Sequence, residues 1–366
     1  MLYQKPPKPK MISRRAIDRA GDVLISETSK VDELEKARDI LNQWRARHVY
    51  PLNTFNSYLR SKVRNGRFGI DVVIAQRLKR ASTIINKLRE GEDHDIKLLN
   101  MQDIAGVRAI LPTITDVRKL EADYKLSKRF SHILHPRSKD YIQEPKIKDG
   151  YRSTHLVYKY QNRQHPRWDG LWVELQIRTK LQHTWATAVE TMHAFLGKAI
   201  KTRQGQKSDE KWTEYFRLVS SAFAYIEKTP LVDSHKNMRP NDIQEAIRKY
   251  EAELKALEKL RAFPVAIKMI TEKASGSTYH LIVLDTRDPN NKTVTVRSYG
   301  RDDAEKANAD YAETERQFLG QGEVEPVLVS STNFKEAYSS FFADTKDFQE
   351  SLGLILSGKW LSALPK

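Results

Sequence analysis

The 366-residue sequence has no cysteine. Disulfide scaffolds, thiol nucleophiles and cysteine-ligated zinc are therefore excluded, and a cytoplasmic setting is expected. There is no run of about 18 apolar residues, so no membrane span is expected. The opening MLYQKPPKPK is basic but leads into no apolar stretch and does not read as a secretory signal. Its three prolines and three lysines suggest a flexible segment. Negative charge is in short supply: 47 Asp plus Glu stand against 63 Lys plus Arg, a net of +16. Such an excess attracts nucleotides or nucleic acids. With 39% hydrophobic residues the chain can bury a core, in one large domain or two ordinary ones.

The charge is uneven. Residues 301–350 hold five basic and twelve acidic residues, a net of −7, which leaves +23 for the rest of the chain. An acidic piece attached to a basic body is either a separately solvated domain or one that docks on a basic site. Patterns from Arg14 to Leu59 read mostly as helix, and Gln76–Leu88 as a further helix. Val107–Ile114, Ser153–Tyr160 and Leu171–Thr179 read as strands. Helices are expected around Asp116–Tyr124 and from Lys180 onward. Ile243, Ile247, Tyr250, Leu254, Leu257 and Leu260 form the apolar stripe of one long helix. Strands follow at Thr278–Thr286, Lys292–Tyr299 and Val324–Ser330, with an acidic helix around Asp303–Leu319. Asn333 is placed to cap a final helix. The domain boundary falls near residue 262.

Four segments carry chemistry. In LWVELQIRT, strand alternation sends Leu171, Val173, Leu175 and Ile177 into a core and Trp172, Glu174, Gln176 and Arg178 to the other face. A carboxylate, an amide and a guanidinium on one face need ligands or partners. In DIAGVRAI, Asp103 stands just before a strand; with Glu174 it suits Mg²⁺, which prefers hard oxygen ligands. Glu174 alternatively, or additionally, accepts a hydroxyl proton. In Arg77-x-Lys79-x-x-Ser82-x-x-x-x-Lys87, the residues Lys79, Ser82 and Lys87 lie roughly on one side of the expected helix and suit a polyphosphate. In the loop of DYIQEPKIKDGYRSTHLVY, Tyr151 follows Gly150 among Lys146, Lys148 and Arg152, an arrangement that stacks a base and holds its phosphates.

Taken together, R-x-K-x-x-S, D-I-x-G-x-R, D-Y-I-x-x-P-K…G-Y-R-S-x-H and E-x-Q-I-R-T, over roughly Ile70–Leu196, resemble the RelA/SpoT-type synthetase domain. The resemblance implies an α/β (α+β) fold, a mixed β-sheet flanked by helices of nucleotidyltransferase-like kind, followed here by a small α+β C-terminal domain. It implies transfer of pyrophosphate from ATP to a 3′-hydroxyl. Arg77 and Arg108 would sandwich the adenine, and Lys79, Ser82 and Lys87 would hold the phosphates. Asp103 and Glu174 would bind Mg²⁺, with Gln176 beside the reacting groups. Lys146, Tyr151, Arg152, His155 and His183 would receive the acceptor.

The family's acceptor loop reads P-K-x-N-G-Y. Here it is Pro145-Lys146-Ile147-Lys148-Asp149-Gly150-Tyr151, one residue longer and with Asp149 for Asn, which points away from GDP or GTP as acceptor. His94-Asp95 reads as surface, and too little chain precedes the domain for the family's hydrolase, so synthesis without degradation is expected. The layout resembles toxic small alarmone synthetases of the fused toxin–antitoxin (CapRel) type: synthetase in 1–230, connecting helix in 231–262, regulatory domain in 263–366. That type implies the tRNA CCA end as acceptor, restraint by the chain's own C-terminal domain through Tyr338 and Phe341, and release by a phage structural protein. GDP or GTP remains the alternative acceptor. A non-catalytic RNA-binding module is a third reading, resting on charge alone.

Overall fold

A computed structural model describes residues 12–64, 67–68, 71–90, 96–127, 130–136, 138–202, 206–262, 277–285, 287–288, 293–318, 324–330 and 345–363. The opening tail, His94-Asp95, Asn333, Tyr338 and Phe341 lie outside the described residues. The chain divides into two compact units: Met1–Tyr141 with Ser153–Lys180, and Ile142–Arg152 with Leu181–Lys366.

The first unit begins with three helices, α1 (Arg14–Ile25), α2 (Val31–Arg47) and α3 (Val49–Val63). Ser13 caps α1 by accepting the Ala16 N–H at 3.2 Å. Six strands follow: β1 (Val73–Leu78), β2 (Ala105–Leu111), β3 (Ile133–Leu134), β4 (Lys139–Asp140), β5 (Thr154–Lys159) and β6 (Trp172–Thr179). Between them lie α4 (Ala81–Glu90) and α5 (Ile114–Lys125). The sheet order is β1-β2-β6-β5-β3, with β4 also on β5. β2 and β6 are parallel and the other pairs antiparallel, so the sheet is mixed, as expected. Ala105, Val107 and Ala109 of β2 and Val173, Leu175 and Ile177 of β6 are buried. They face α3 and α5, which pack on both strands. The opposite face of these strands carries Gly106, Arg108, Glu174 and Gln176, all partly exposed. β6 therefore runs through the middle of the sheet, and its polar face is not the outer face of an edge strand.

Gln76–Leu88 is not a single helix: residues 73–78 are strand, and α4 starts at Ala81. Every residue of β1 pairs with β2, and the β-branched Val73 and Ile74 just upstream of the helical window tip the local preference to strand. Arg77 thus sits on a strand, Lys79 in the connecting loop, and Ser82 and Lys87 on α4.

The second unit holds α6 (Lys180–Thr202, from Leu181 on), α7 (Gln206–Glu227), α8 (Pro240–Leu254) and α9 (256–262). A three-stranded antiparallel sheet, β8 (Thr293–Tyr299), β7 (Tyr279–Asp285) and β9 (Val324–Ser330), follows in that spatial order. Helices α10 (Ala304–Gln317) and α11 (Thr345–Ser357) complete it. The long helix expected across Ile243–Leu260 is broken: Lys255 adopts φ 49°, ψ 42°, and the Glu251 carboxylate accepts the Leu257 N–H at 2.8 Å beyond the break. Trp185, Phe216, Phe223, Ile243, Ile247, Phe348, Leu352 and Ile355 share one core.

Candidate active site

The sheet's open face is built by register. Ala75 lies opposite Arg108 and Arg77 opposite Gly106, so Arg77 and Arg108 are diagonal neighbours on one face. Such neighbours stand roughly 7–8 Å apart, and a planar ring held between two guanidinium planes needs about 3.5 Å on each side. Across the parallel pair, Gly106 meets Glu174 and Arg108 meets Gln176. On the far side of β6, His155 lies opposite Gln176.

The side chains form a chain of contacts. Arg108 Nε donates to Gln176 Oε1 at 3.3 Å, and Gln176 Nε2 donates to Glu174 Oε2 at 2.7 Å. His155 Nδ1 sits 2.8 Å from Glu174 Oε1. Burial pushes the Glu174 carboxyl up, but His155, with help from Gln176, more than reverses this and holds it below the usual range; Asp103 acts against them through its charge. Glu174 is therefore ionised at neutral pH.

Asp103 precedes β2. Lys79 Nζ and Lys87 Nζ each donate to its Oδ2 at 2.8 Å. Burial alone would raise this carboxyl; the two ammoniums outweigh it and hold the group below its ordinary value. The Lys79 N–H bonds the Ile104 carbonyl at 2.8 Å, which fixes the β1–α4 loop to the head of β2. The other Asp103 oxygen, Oδ1, is buried and has no hydrogen-bond partner. An orphaned carboxylate oxygen near a second ionised carboxylate fits Mg²⁺, which takes one or two protein carboxylates and completes its shell with phosphate oxygens and water. Among the described residues no group of three or more His, Asp or Glu side chains forms a self-sufficient metal cage.

Arg77 and Ser82 are exposed. The residue that the motif reading left without a role is Gly106. A Cβ built there meets nothing nearer than the Arg77 carbonyl oxygen at 3.9 Å, so the glycine keeps open space on the face shared by Arg77, Arg108 and Glu174. The available signal was its place between Asp103 and Arg108 in a strand, where a missing side chain marks close approach by something else.

The residues expected on the acceptor side, other than His155, belong to the second unit. The loop closes on itself: Gly150 N–H bonds the Lys146 carbonyl at 2.8 Å, and Lys146 N–H bonds the Tyr151 carbonyl at 3.2 Å. Asp149 Oδ1 accepts the Tyr151 N–H at 2.9 Å, a bond an asparagine makes equally well. Gly150 has φ +81°, and a Cβ there would lie 3.2 Å from Arg217 Cα and from Ser220 Cβ. Tyr151 is half-buried, 6.5 Å from the Trp185 ring, with Lys146 Nζ 5.2 Å above its own ring. Arg152 is buried and holds the loop down: Nε donates to Ser220 Oγ at 2.8 Å and Nη1 to the Pro230 carbonyl at 2.7 Å. Burial pulls its guanidinium down to about 10, against a smaller upward pull from Glu227. His183 is buried on the first turn of α6.

The class this arrangement defines is a mixed α/β unit with two ionised carboxylates, one of them held by two lysines. The region described as "Region found in RelA / SpoT proteins" matches residues 76–195, about a third of the chain. Two relatives from Bacillus subtilis (strain 168) align over part of it. GTP pyrophosphokinase YwaC is 35% identical over 114 residues, 30% of this chain and 52% of that protein. GTP pyrophosphokinase YjbM is 31% identical over 120 residues, 33% of this chain and 55% of that protein. The chain thus spans about half the length of these curated relatives. Among solved structures, small alarmone synthetase 1 from Bacillus subtilis aligns with a TM-score of 0.40 at 21% identity, covering 57% of this chain and 99% of that one. Among the described residues no helix is long and apolar enough to cross a membrane.

Proposed function

We propose that the chain is an ATP-dependent pyrophosphokinase of RelA/SpoT type whose acceptor is the 3′-hydroxyl of the tRNA CCA end. The observation that carries the reaction is the pair of ionised carboxylates, Asp103 and Glu174, at the head of two parallel strands; Asp103 has one bare oxygen and two lysines on its other oxygen. Arg77 and Arg108 hold the adenine; Lys79, Lys87 and Ser82 meet the phosphates. Asp103 and Glu174 would hold Mg²⁺, which when bound neutralises charge on the phosphates. The acceptor oxygen attacks the β-phosphorus of ATP. The bond from that phosphorus to the oxygen it shares with the α-phosphorus breaks, AMP leaves with the electron pair, and the hydroxyl proton passes to Glu174. A carboxylate held this low is a weak base, so the proton moves late, after the new O–P bond is largely formed.

Lys146 and Tyr151 engage the acceptor, and Arg152 fixes their loop to α7. The tRNA reading rests on the lengthened loop and on the basic body. Guanine nucleotides are the second reading, favoured by the names of both relatives and by Asp149, whose hydrogen bond an asparagine would reproduce. ATP labelled on its γ-phosphate, offered with tRNA and with GDP and GTP together, separates them. Label on tRNA upholds the proposal, label on guanine nucleotides replaces the acceptor, and label on neither, from the wild type and the Tyr338→Ala variant alike, removes the reaction.

In the same reading, residues 263–366 restrain the enzyme and a phage structural protein releases it. α11 shares its core with α7, since Phe348 lies 6.2 Å from Phe216 and 6.0 Å from Phe223, and α7 holds the acceptor loop through Ser220. Deleting residues 263–366 would strip that core, so the fair test keeps α11. Tyr338→Ala should increase growth inhibition; unchanged or lower inhibition with normal protein levels removes the restraint.

A further inference from the structure

The hairpin joining β5 to β6 carries features that pyrophosphate transfer does not use. Its segment Gln161–Gly170 exposes Arg163, His165 and Arg167 and buries one ring, Trp168. The Arg167 guanidinium lies 5.0 Å over the Trp168 ring, and Tyr50 stacks on Trp168 at 5.5 Å and 15°. His165 meets the edge of Tyr50 at 5.6 Å. This ordered pile ends in a guanidinium plane exposed to solvent.

Its position follows from register. Lys159 pairs with Trp172 and Ala105 with Val173, so the hairpin leaves the sheet at the end where Asp103 precedes β2. Two arginines of α2 tie that end together. Arg45 Nε donates to the Lys79 carbonyl at 2.9 Å, and Arg47 Nη2 donates to the Arg167 carbonyl at 3.2 Å. Lys79 in turn bonds Asp103. A cationic edge therefore runs from the donor-phosphate lysine to the hairpin tip. The only acidic side chain in the segment, Asp169, is engaged by the Asn162 N–H at 2.7 Å.

We propose that this edge is an RNA-docking surface. Arg163 and Arg167 hold backbone phosphates, and the Arg167 plane stacks an unpaired base of the strand whose end enters the site. Phosphates favour a row of fixed cations, and unstacked bases settle on guanidinium planes. Two features favour RNA over an acidic protein: the stacked aromatic base beneath the arginine, which prepares a flat face, and the absence of any exposed large apolar side chain within the segment that could anchor a protein hot spot. The proposal rests on the tRNA reading for its ligand.

The test compares full-length wild type, Arg163→Gln/Arg167→Gln, and the control Lys36→Gln/Arg38→Gln, which removes two exposed cations from α2. Binding of tRNA is followed by fluorescence anisotropy across salt concentrations, with label transfer from ATP and the melting temperature measured in parallel. The hairpin variant should melt like wild type. It should bind tRNA about tenfold or more weakly at 0.1 M salt, with a log K against log salt slope shallower by about 2. KM for ATP should not change, and the control should track wild type. Label on tRNA with unchanged affinity and slope in the hairpin variant overturns the surface while the acceptor reading stands. Lost tRNA binding in the variant, with wild-type label going only to guanine nucleotides, upholds the surface and overturns the acceptor. A wild type that binds no tRNA overturns both.

Discussion

His155 Nδ1 lies 2.8 Å from Glu174 Oε1, across the β5–β6 ladder. The motif resemblance implies an acceptor contact for this histidine; the register also makes it the group that orients Glu174 and keeps it ionised. His155→Ala should lower kcat by roughly 10- to 100-fold, the range expected when a supporting hydrogen bond to a reacting group is lost. With His155 gone, the Glu174 pKa rises toward its ordinary value, so the acidic limb of the pH–rate profile should shift to higher pH. A purely structural loss would lower activity evenly at all pH values.

Gly106 offers a sharper separation of fold from function. A methyl at this position meets no heavy atom closer than 3.9 Å, and its backbone is ordinary strand. Gly106→Ala should therefore leave the melting temperature unchanged or raise it slightly, since glycine in a strand interior costs about 0.5–1 kcal/mol relative to alanine. Gly106→Val should also fold, yet it fills the face shared by the two arginines and Glu174. KM for ATP should rise about tenfold or more for the valine variant, with the alanine variant between. An unchanged KM would mean that the donor lies elsewhere.

Asp103 is the second charge under test. Asp103→Asn removes the anion that two ammoniums share and leaves Lys79 half-buried beside a neutral amide. Stability should fall by roughly 1–3 kcal/mol, and pyrophosphate transfer should fall by more than about 100-fold. Isothermal titration should show that Mg²⁺ no longer strengthens ATP binding. Retained Mg²⁺ coupling would take the metal away from this carboxylate.

Much of this site was legible because β6 alternates from Trp172 to Ile177: Val173, Leu175 and Ile177 against Trp172, Glu174 and Gln176 leaves one register, although Arg178 beyond them is buried. The edge strand β1 was not legible. Its side chains are mostly exposed, so burial imposed no period of two, and the apolar spacing downstream suited a helix equally well. The break after α8 was hidden for another reason. The stripe continues through Leu257 and Leu260, while polar contacts of the Glu251 carboxylate, to the distant Tyr215 hydroxyl and to the Leu257 N–H, accompany the left-handed Lys255. The grouping of Ile142–Arg152 with the distant α7 rests on Arg152, Ser220 and Gly150, contacts some 70 residues apart that no local pattern announces.

That tether yields a prediction about the acceptor alone. Ser220 Oγ donates to the Gly150 carbonyl at 2.6 Å and accepts from Arg152 Nε at 2.8 Å. Ser220→Ala leaves a buried guanidinium N–H unpaired, at a cost of roughly 1–3 kcal/mol. Because the loop carries Lys146 and Tyr151, KM for the acceptor should rise several-fold while KM for ATP stays constant. Equal effects on both substrates would show that the tether serves general stability only.

His48 contributes to the response to acid. It is fully buried between α2 and α3, its Nδ1–H donates to the Trp44 carbonyl at 2.9 Å, and Nε2 has no partner. Burial, with help from the Arg47 charge and against the Trp44 bond, lowers its pKa from 6.5 to about 4. Between those values the unfolded chain binds a proton that the folded chain refuses, so folding stability is complete above pH 6.5 and declines as pH falls toward 4. The loss attributable to His48 is on the order of 2–3 kcal/mol. His48→Phe keeps a ring against Trp44, 4.8 Å away in the wild type, and removes the titration. His132, also lowered to about 4 by burial, retains its own acid sensitivity in both proteins and cancels in the comparison. Urea unfolding at pH 7 and pH 4.5 should therefore show a smaller acid loss in the variant than in the wild type. Equal losses would mean that the His48 ring reaches water and accepts its proton within the folded state.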